Sequence, residues 1–259
     1  SPRSAADYDH DGDFEVFVAS DKTNALLISE NNTYKVITPE EIGLPTYSSA
    51  ANWLDYDNDG LTDIHFFPNG IYHQKANHKF EKTHLLERKF SKVDKVFCSW
   101  FDADNDGKQD LVLAVKVPST FSRDLQEKIL AFFKRKPQSI HNFALRDKSI
   151  FTMSEWKIIL YRNVRTQNHW LQVQVTGLEG NRAGIGTTVE VETEDGIQIQ
   201  QIGQADGASR SKGHYRTYFG LGTANAVKSV RFSWANGQSK EVNNIKVDKL
   251  LNQIIAFQS

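Results

Sequence analysis

The sequence predicts an all-β protein: the last blades of a β-propeller joined to a small antiparallel β-domain. Three observations predict it. A nine-residue acidic loop occurs three times at near-constant spacing. Each copy is flanked by short apolar segments rich in β-branched and aromatic residues. Beyond residue 163 the texture changes to short alternating strands separated by Gly- and Asn-rich turns.

The loops are Asp7-Tyr-Asp9-His-Asp11-Gly12-Asp13-Phe-Glu15, Asp55-Tyr-Asp57-Asn-Asp59-Gly60-Leu-Thr-Asp63 and Asp102-Ala-Asp104-Asn-Asp106-Gly107-Lys-Gln-Asp110. They start 48 and then 47 residues apart. Carboxylates at alternate positions converge on one point only if the backbone curls around it, and the Gly at position 6 permits the sharp turn. Six to eight oxygens at short range suit Ca²⁺, whereas Mg²⁺ keeps its waters. A single such stretch is commonly no more than a solvated turn; three in register read as calcium loops. The expected ligands are Asp7, Asp9, Asp11 and Glu15, then Asp55, Asp57, Asp59 and Asp63, then Asp102, Asp104, Asp106 and Asp110. The position-7 carbonyls of Asp13, Leu61 and Lys108 should each add one. The first loop, closed by Glu15 where the others have Asp, is the least secure.

These are not EF-hands. That motif needs a bidentate Glu at loop position 12, and here position 12 is Val18, Phe66 and Leu113. The flanks Phe14–Ala19, Ile64–Phe67 and Leu111–Val117 read as strands, as do the segments Ala50–Trp53 and Val96–Trp100 ahead of the second and third loops. One strand–loop–strand unit per 45–50 residues fits a four-stranded propeller blade. The pattern resembles the FG-GAP/VCBS repeats of integrin-like propellers, with the Asp-x-Asp-x-Asp-Gly-x-x-Asp loop matched fully in the second and third copies.

The formal net charge of −1 hides a division. The loops hold 13 acidic residues and one Lys, leaving 30 basic against 19 acidic residues elsewhere. The excess concentrates in 116–165, where eleven Lys or Arg face four Asp or Glu. That segment, at about 117–155, reads as an insertion in the last blade. Within it Ser122–Lys136 reads as a helix, with a Ser cap, an apolar stripe of Leu125, Ile129, Phe132 and Phe133, and Lys134-Arg-Lys136 at its end. It either packs on the propeller or offers a basic face to an anionic partner or membrane. Nucleic acid is not expected, since no zinc spacing, RNA-binding aromatic motif or basic recognition helix accompanies the charge.

From residue 164 to 259 a second domain is expected. Its strands are Leu171–Val175, Thr188–Thr193, Gly196–Ile202, Tyr215–Phe219 and Ser229–Trp234, giving a sandwich or barrel. Asn168-His-Trp-Leu171, Asn181-Arg182 with Gly184-Ile-Gly186, Phe219-Gly-Leu-Gly222 and Trp234-Ala-Asn-Gly237 resemble the ASPIC/UnbV domain. Ala235 departs from the Trp-Pro-x-Gly more usual there. Propeller repeats followed by this domain resemble the architecture of the cartilage acidic protein family, which implies a secreted, calcium-binding adhesion or interaction protein.

No Gly-x-Ser-x-Gly, His-Glu-x-x-His or phosphate loop points to catalysis. Cys98 lies in an apolar strand, so it reads as a packing residue. The loops are rich in carboxylates and short of open positions, which favours structural ions over a Lewis acid. Asn181, Arg182, Arg210, His214, Tyr215 and Arg216 form the one polar cluster that could converge on an anionic or sugar ligand. The competing reading is an enzyme with a pocket on the propeller axis or in the interdomain cleft. Dense calcium sites suit an extracellular, periplasmic or cell-surface location. Three blades fall short of the four that a closed propeller needs. Further blades are therefore expected from a longer precursor or another chain, and a protein or glycan is the expected partner.

Overall fold

The computed structural model describes residues 3–30, 33–67, 70–86, 95–116, 143–144, 152–153, 156–164, 167–177, 179–204 and 215–254. The expected helix Ser122–Lys136 lies outside them, as do Arg210 and His214. The fold is all-β, with five small sheets in a propeller-like arrangement. Among the described residues the one helical turn is the 3₁₀ segment Pro39–Ile42.

Three of the sheets are blades. The first is built from β1 (Arg3–Ala6), β2 (Glu15–Val18), β3 (Ala25–Glu30) and β4 (Thr33–Ile37) in that order. The second repeats it with β5 (Ala50–Leu54), β6 (Asp63–Phe67), β7 (Gly70–Gln74) and β8 (Phe80–Lys82). In the third, β9 (Lys95–Phe101) and β10 (Asp110–Lys116) take the first two places. The two-residue strands β11 (Phe143–Ala144) and β12 (Thr152–Met153) come next in sequence, and both pair with β13 (Trp156–Asn163). β13 pairs with β10, so it occupies the third place and β11 the outer edge. The insertion therefore interrupts the blade between its second and third strands and supplies its own edge pairing.

Every acidic loop joins the first strand of a blade to the second, which puts all three at one end of the propeller. The alternating faces of neighbouring blades meet in two apolar cores. Phe17, Leu26, Trp53, Ile64, Phe66 and Phe80 fill the space between blades one and two. Leu54, Ile71, Cys98, Trp100, Leu111 and Tyr161 fill the space between blades two and three. Phe17 and Phe66 meet ring to ring with centroids 5.0 Å apart. The outer strand β4 is polar and wet, with Tyr34 and Val36 mostly exposed.

Buried amides tie each blade to the previous one. The Gln74 side chain, fully buried, donates to the Tyr8 carbonyl at 2.7 Å and accepts from Thr62 N–H at 3.0 Å. Asn163 repeats the bridge one blade on, donating to the Tyr56 carbonyl at 2.6 Å. Each ties the end of the third strand in one blade to position 2 of the preceding loop. Gln74→Leu keeps the volume but leaves a buried carbonyl and a half-buried N–H unpaired, so we expect a loss of about 2–4 kcal/mol. Urea denaturation with an unchanged slope measures it. A loss below about 0.5 kcal/mol would show that the bridge contributes nothing beyond its packing.

The C-terminal strands are β14 (His169–Thr176), β15 (Thr188–Glu192), β16 (Ile197–Gln201), β17 (Arg216–Gly222), β18 (Ala226–Ser233), β19 (Ser239–Lys246) and β20 (Lys249–Ile254). They form a three-stranded sheet, β17-β14-β20, and a four-stranded one, β16-β15-β18-β19. Leu171, Val173, Val189, Val191, Phe219, Val230 and Phe232 face one another between them, all essentially without solvent contact. This is the expected sandwich, with one departure: β20 runs parallel to β14. The β18–β19 hairpin belongs to the opposite sheet, and the chain crosses from it to lie beside β14. The Trp234–Gly237 segment is a tight turn, with the Gly237 N–H bonded to the Trp234 carbonyl.

Candidate metal loops and the domain junction

The three loops share one backbone design. Position 6 (Gly12, Gly60, Gly107) has φ between +86° and +96°. Position 4 (His10, Asn58, Asn105) is also left-handed, with φ between 57° and 60°. Asn and His tolerate that region better than most side chains, a signal present in the sequence but carried by position 4 rather than by the acidic residues. Position 5 caps the turn: Asp11, Asp59 and Asp106 accept the position-7 N–H at 2.8, 2.8 and 3.0 Å.

Position 9 anchors each loop to its blade. Glu15, Asp63 and Asp110 are fully buried. Glu15 accepts Tyr8 N–H and Ser29 N–H, both at 3.4 Å. Asp63 accepts Tyr56 N–H at 3.3 Å and Gln74 N–H at 2.8 Å. Asp110 accepts Ala103 N–H at 3.1 Å and Asn163 N–H at 2.7 Å.

Positions 1, 3 and 9 converge. One oxygen each from Asp7, Asp9 and Glu15 lies within 4.8 Å of the others, and the same holds for Asp55, Asp57 and Asp63 and for Asp102, Asp104 and Asp110. These sets could hold a metal ion. Position 5 stands outside the trios, though Asp59 groups with Asp57 and His73. Packing carboxylates together under cover raises their pKa values. Burial first, then Asp9, pushes the Glu15 carboxyl up to about 8. Burial pushes Asp7 to about 7 against the nearby Gly12 N–H. Burial also takes Asp63 to about 7, opposed by its His73 hydrogen bond, and Asp110 to about 6.

The loops differ in what meets those charges. In the second and third, the position-1 carboxylate accepts two loop N–H groups: Asp55 from Asp59 and Gly60, Asp102 from Asp106 and Gly107. In the first, both oxygens of Asp7 are buried, and the Gly12 and His10 N–H groups lie near enough to lower its pKa without reaching either oxygen in good hydrogen-bond geometry. An oxygen-seeking cation is the group that would satisfy them. The residue just before the third-strand anchor also differs, being Ile28, His73 or Arg162. His73 Nδ1 lies 3.0 Å from Asp63. Arg162 pairs with Asp104 and lies 4.0 Å from Asp106, while Lys108 Nζ lies 2.9 Å from Asp106. The third loop thus has Arg162 and Lys108 beside it, whereas among the described residues the first has the weaker counter-charge of His78 near Asp9.

Of the expected polar cluster of the C-terminal domain, Arg210 and His214 lie outside the described residues, and the other four take separate places. Asn181 closes its own turn through Ile185, accepting its N–H and donating to its carbonyl. Arg182 and Tyr215 are exposed. Arg216 instead reaches the propeller, donating to Asn105 Oδ1 at 3.0 Å and Gln172 Oε1 at 2.8 Å. Cys98 is sealed beneath Asn52, its thiol donating to Oδ1, and burial raises its pKa to about 12, which removes it as a nucleophile.

Sequence reasoning missed the junction. The C-terminal domain sits on the loop end of the blades. Asn168 Nδ2 donates to the Asp57 carbonyl at 3.0 Å, and Gly222 N–H to the Asn58 carbonyl at 2.9 Å. Gln172 Nε2 donates to Asp102 Oδ2 at 2.5 Å, and Asp102 N–H donates to Tyr218 Oη at 3.4 Å. Gln204 donates to the Ala5 carbonyl of the first blade.

Two family models match the chain: an FG-GAP-like repeat over residues 7–66, and ASPIC and UnbV over residues 177–254. No curated protein matches it. The fold and these matches together define a β-propeller interaction module with an FG-GAP-like repeat followed by an ASPIC/UnbV domain.

Proposed function

We propose that this chain is an exported, calcium-stabilised interaction module that binds a protein or glycan. The observation that carries the calcium reading is Asp7, whose two buried carboxylate oxygens lie beside Asp9 and Glu15 with no N–H in good hydrogen-bond geometry. Carboxylates buried this close together keep their charge at low cost only if a cation joins them. Ca²⁺ suits an all-oxygen set with several carboxylates, and the position-7 carbonyls of Asp13, Leu61 and Lys108 would complete each shell. Bound ions hold the loop turns; they supply no reaction. Export fits loops of this density, because calcium is plentiful outside cells. Further blades beyond these three would complete the propeller, with the two-domain face open to a ligand. Among the described residues no helix is long and apolar enough to cross a membrane.

The sites are unequal. The first loop meets only the partial charge of His78 among the described residues, while Arg162 and Lys108 already neutralise part of the third, so the third binds most weakly. Calorimetric titration with Ca²⁺ should resolve two tighter sites and one weaker one. Asp7→Asn should remove a tight site, and Arg162→Met should tighten the weak one by roughly tenfold, a change of about 1.4 kcal/mol. Three equal sites unaltered by Arg162→Met would refute this ranking, and no heat at all would refute the calcium reading.

A further inference from the structure

The acidic loops whose carboxylates at positions 1, 3 and 9 could hold an ion also face the C-terminal domain, through positions 1, 4 and 6. At position 1, Asp102 takes a hydrogen bond from Gln172, and Gly220 lies so close to Asp55 that a Cβ there would overlap its carboxylate. At position 4, the Asn58 carbonyl accepts Gly222 N–H and the Asn105 side chain accepts from Arg216. At position 6, a Cβ on Gly107 would overlap the Trp170 ring, one on Gly60 would lie 3.4 Å from the Gly220 carbonyl, and one on Gly12 would lie 3.7 Å from Ile199. The loops are also joined to each other, since Asn58 Nδ2 donates to the Gly107 carbonyl at 3.1 Å. One turn of backbone therefore has an inner side lined by carboxylates and an outer side that is the floor of the domain junction.

We propose that ion binding and interdomain docking are a single linked equilibrium, with the C-terminal domain acting as the outer shell of the metal loops. Gln172 and Tyr218 are the positioning residues: one holds the Asp102 carboxylate, the other receives its N–H. Without an ion the position-1 and position-3 carboxylates repel one another, the turn relaxes, and the surface shaped for Trp170, Gly220 and Arg216 is lost. Linkage is reciprocal, so whatever factor the ion adds to docking, docking adds to ion affinity. Outer-shell partners of this kind commonly change metal affinity by about 10–100-fold. The proposal rests on the calcium reading above.

Small-angle scattering and calorimetry on the full chain test both together. A compact chain of this length has a radius of gyration of about 18 Å. With Ca²⁺ the value should stay near that; with excess EGTA it should rise by several Å while the far-ultraviolet circular dichroism is kept. Gln172→Leu and, as the gentler change, Tyr218→Phe should each weaken Ca²⁺ at one site, by roughly tenfold for the first. Should chelation unfold the whole chain, the two variants' affinities decide the matter. Ca²⁺ uptake with unchanged scattering and with both variants binding as the parent does overturns the linkage and leaves the calcium reading standing. An absence of Ca²⁺ uptake overturns the calcium reading, and the linkage with it.

Discussion

Stripping divalent ions with excess EGTA lowers the melting temperature by on the order of 10 °C at pH 8.5, and by far less at pH 5.5. The size follows from mass action, since each occupied site stabilises the native state by about 2.7 kcal/mol at a hundredfold excess over Kd. The pH dependence follows from the carboxyl groups. In the ion-free native state Glu15 holds its proton up to about pH 8, Asp7 and Asp63 up to about 7, and Asp110 up to about 6. The unfolded chain releases the same protons near pH 4. Between those limits the native state binds more protons than the unfolded one, so ion-free stability falls as pH rises through the window. Ca²⁺ displaces the protons, so its affinity climbs over the same range. Both are one linkage through the same carboxyl groups, and the gap between melting curves with and without EGTA must widen with pH. A gap that stays constant from pH 5.5 to 8.5 would show that these carboxyl groups do not share an ion.

Gly107→Ala should cost about 2–4 kcal/mol, more than most glycine substitutions. Two penalties coincide at this position. Its φ of +86° is disfavoured for any residue with a Cβ, and that Cβ would enter the Trp170 ring. Gly237→Ala separates the two. Gly237 has nearly the same φ, +83°, but nothing within 4 Å of an added Cβ. That change should cost only the backbone term, about 1 kcal/mol. Urea denaturation of the two variants isolates the packing penalty at the junction. Equal losses would show that Trp170 yields freely and that the domains are not closely fitted there.

The three acidic loops were legible from spacing alone, because carboxylates at alternate positions around a position-6 Gly are a local pattern. The strands on either side were legible for the same reason. Ile64–Phe67 and Leu111–Val117 were read from apolar β-branched and aromatic composition, and the observed β6 and β10 differ from them at the ends only. Strands with weak patterns were not found. β19 and β20 are largely polar on their outer faces and are held by partners distant in sequence, and β20 pairs with β14 across more than 70 residues.

The polar cluster proposed around Asn181 and Arg216 shows the limit from the other side. Six polar residues within 36 positions of sequence look like one site, yet Asn181 satisfies itself within its own turn while Arg216 crosses to Asn105. Likewise Asn168, Trp170, Gly220 and Gly222 stood out in the sequence as parts of a domain signature. Their contacts with Asp57, Gly107, Asp55 and Asn58 give those residues a physical task.

The three loops and the all-β character were written in the sequence, since each depends on residues a few positions apart; that positions 1, 3 and 9 converge while position 5 turns to cap the loop was not. Tertiary structure alone decided which side of each loop meets the second domain, that Gln74 and Asn163 bridge successive blades, and that Arg162 answers Asp104. Those contacts join residues separated by tens to more than a hundred positions. Their partners are chosen by which strand ends the packed cores bring together, and no local pattern encodes that choice.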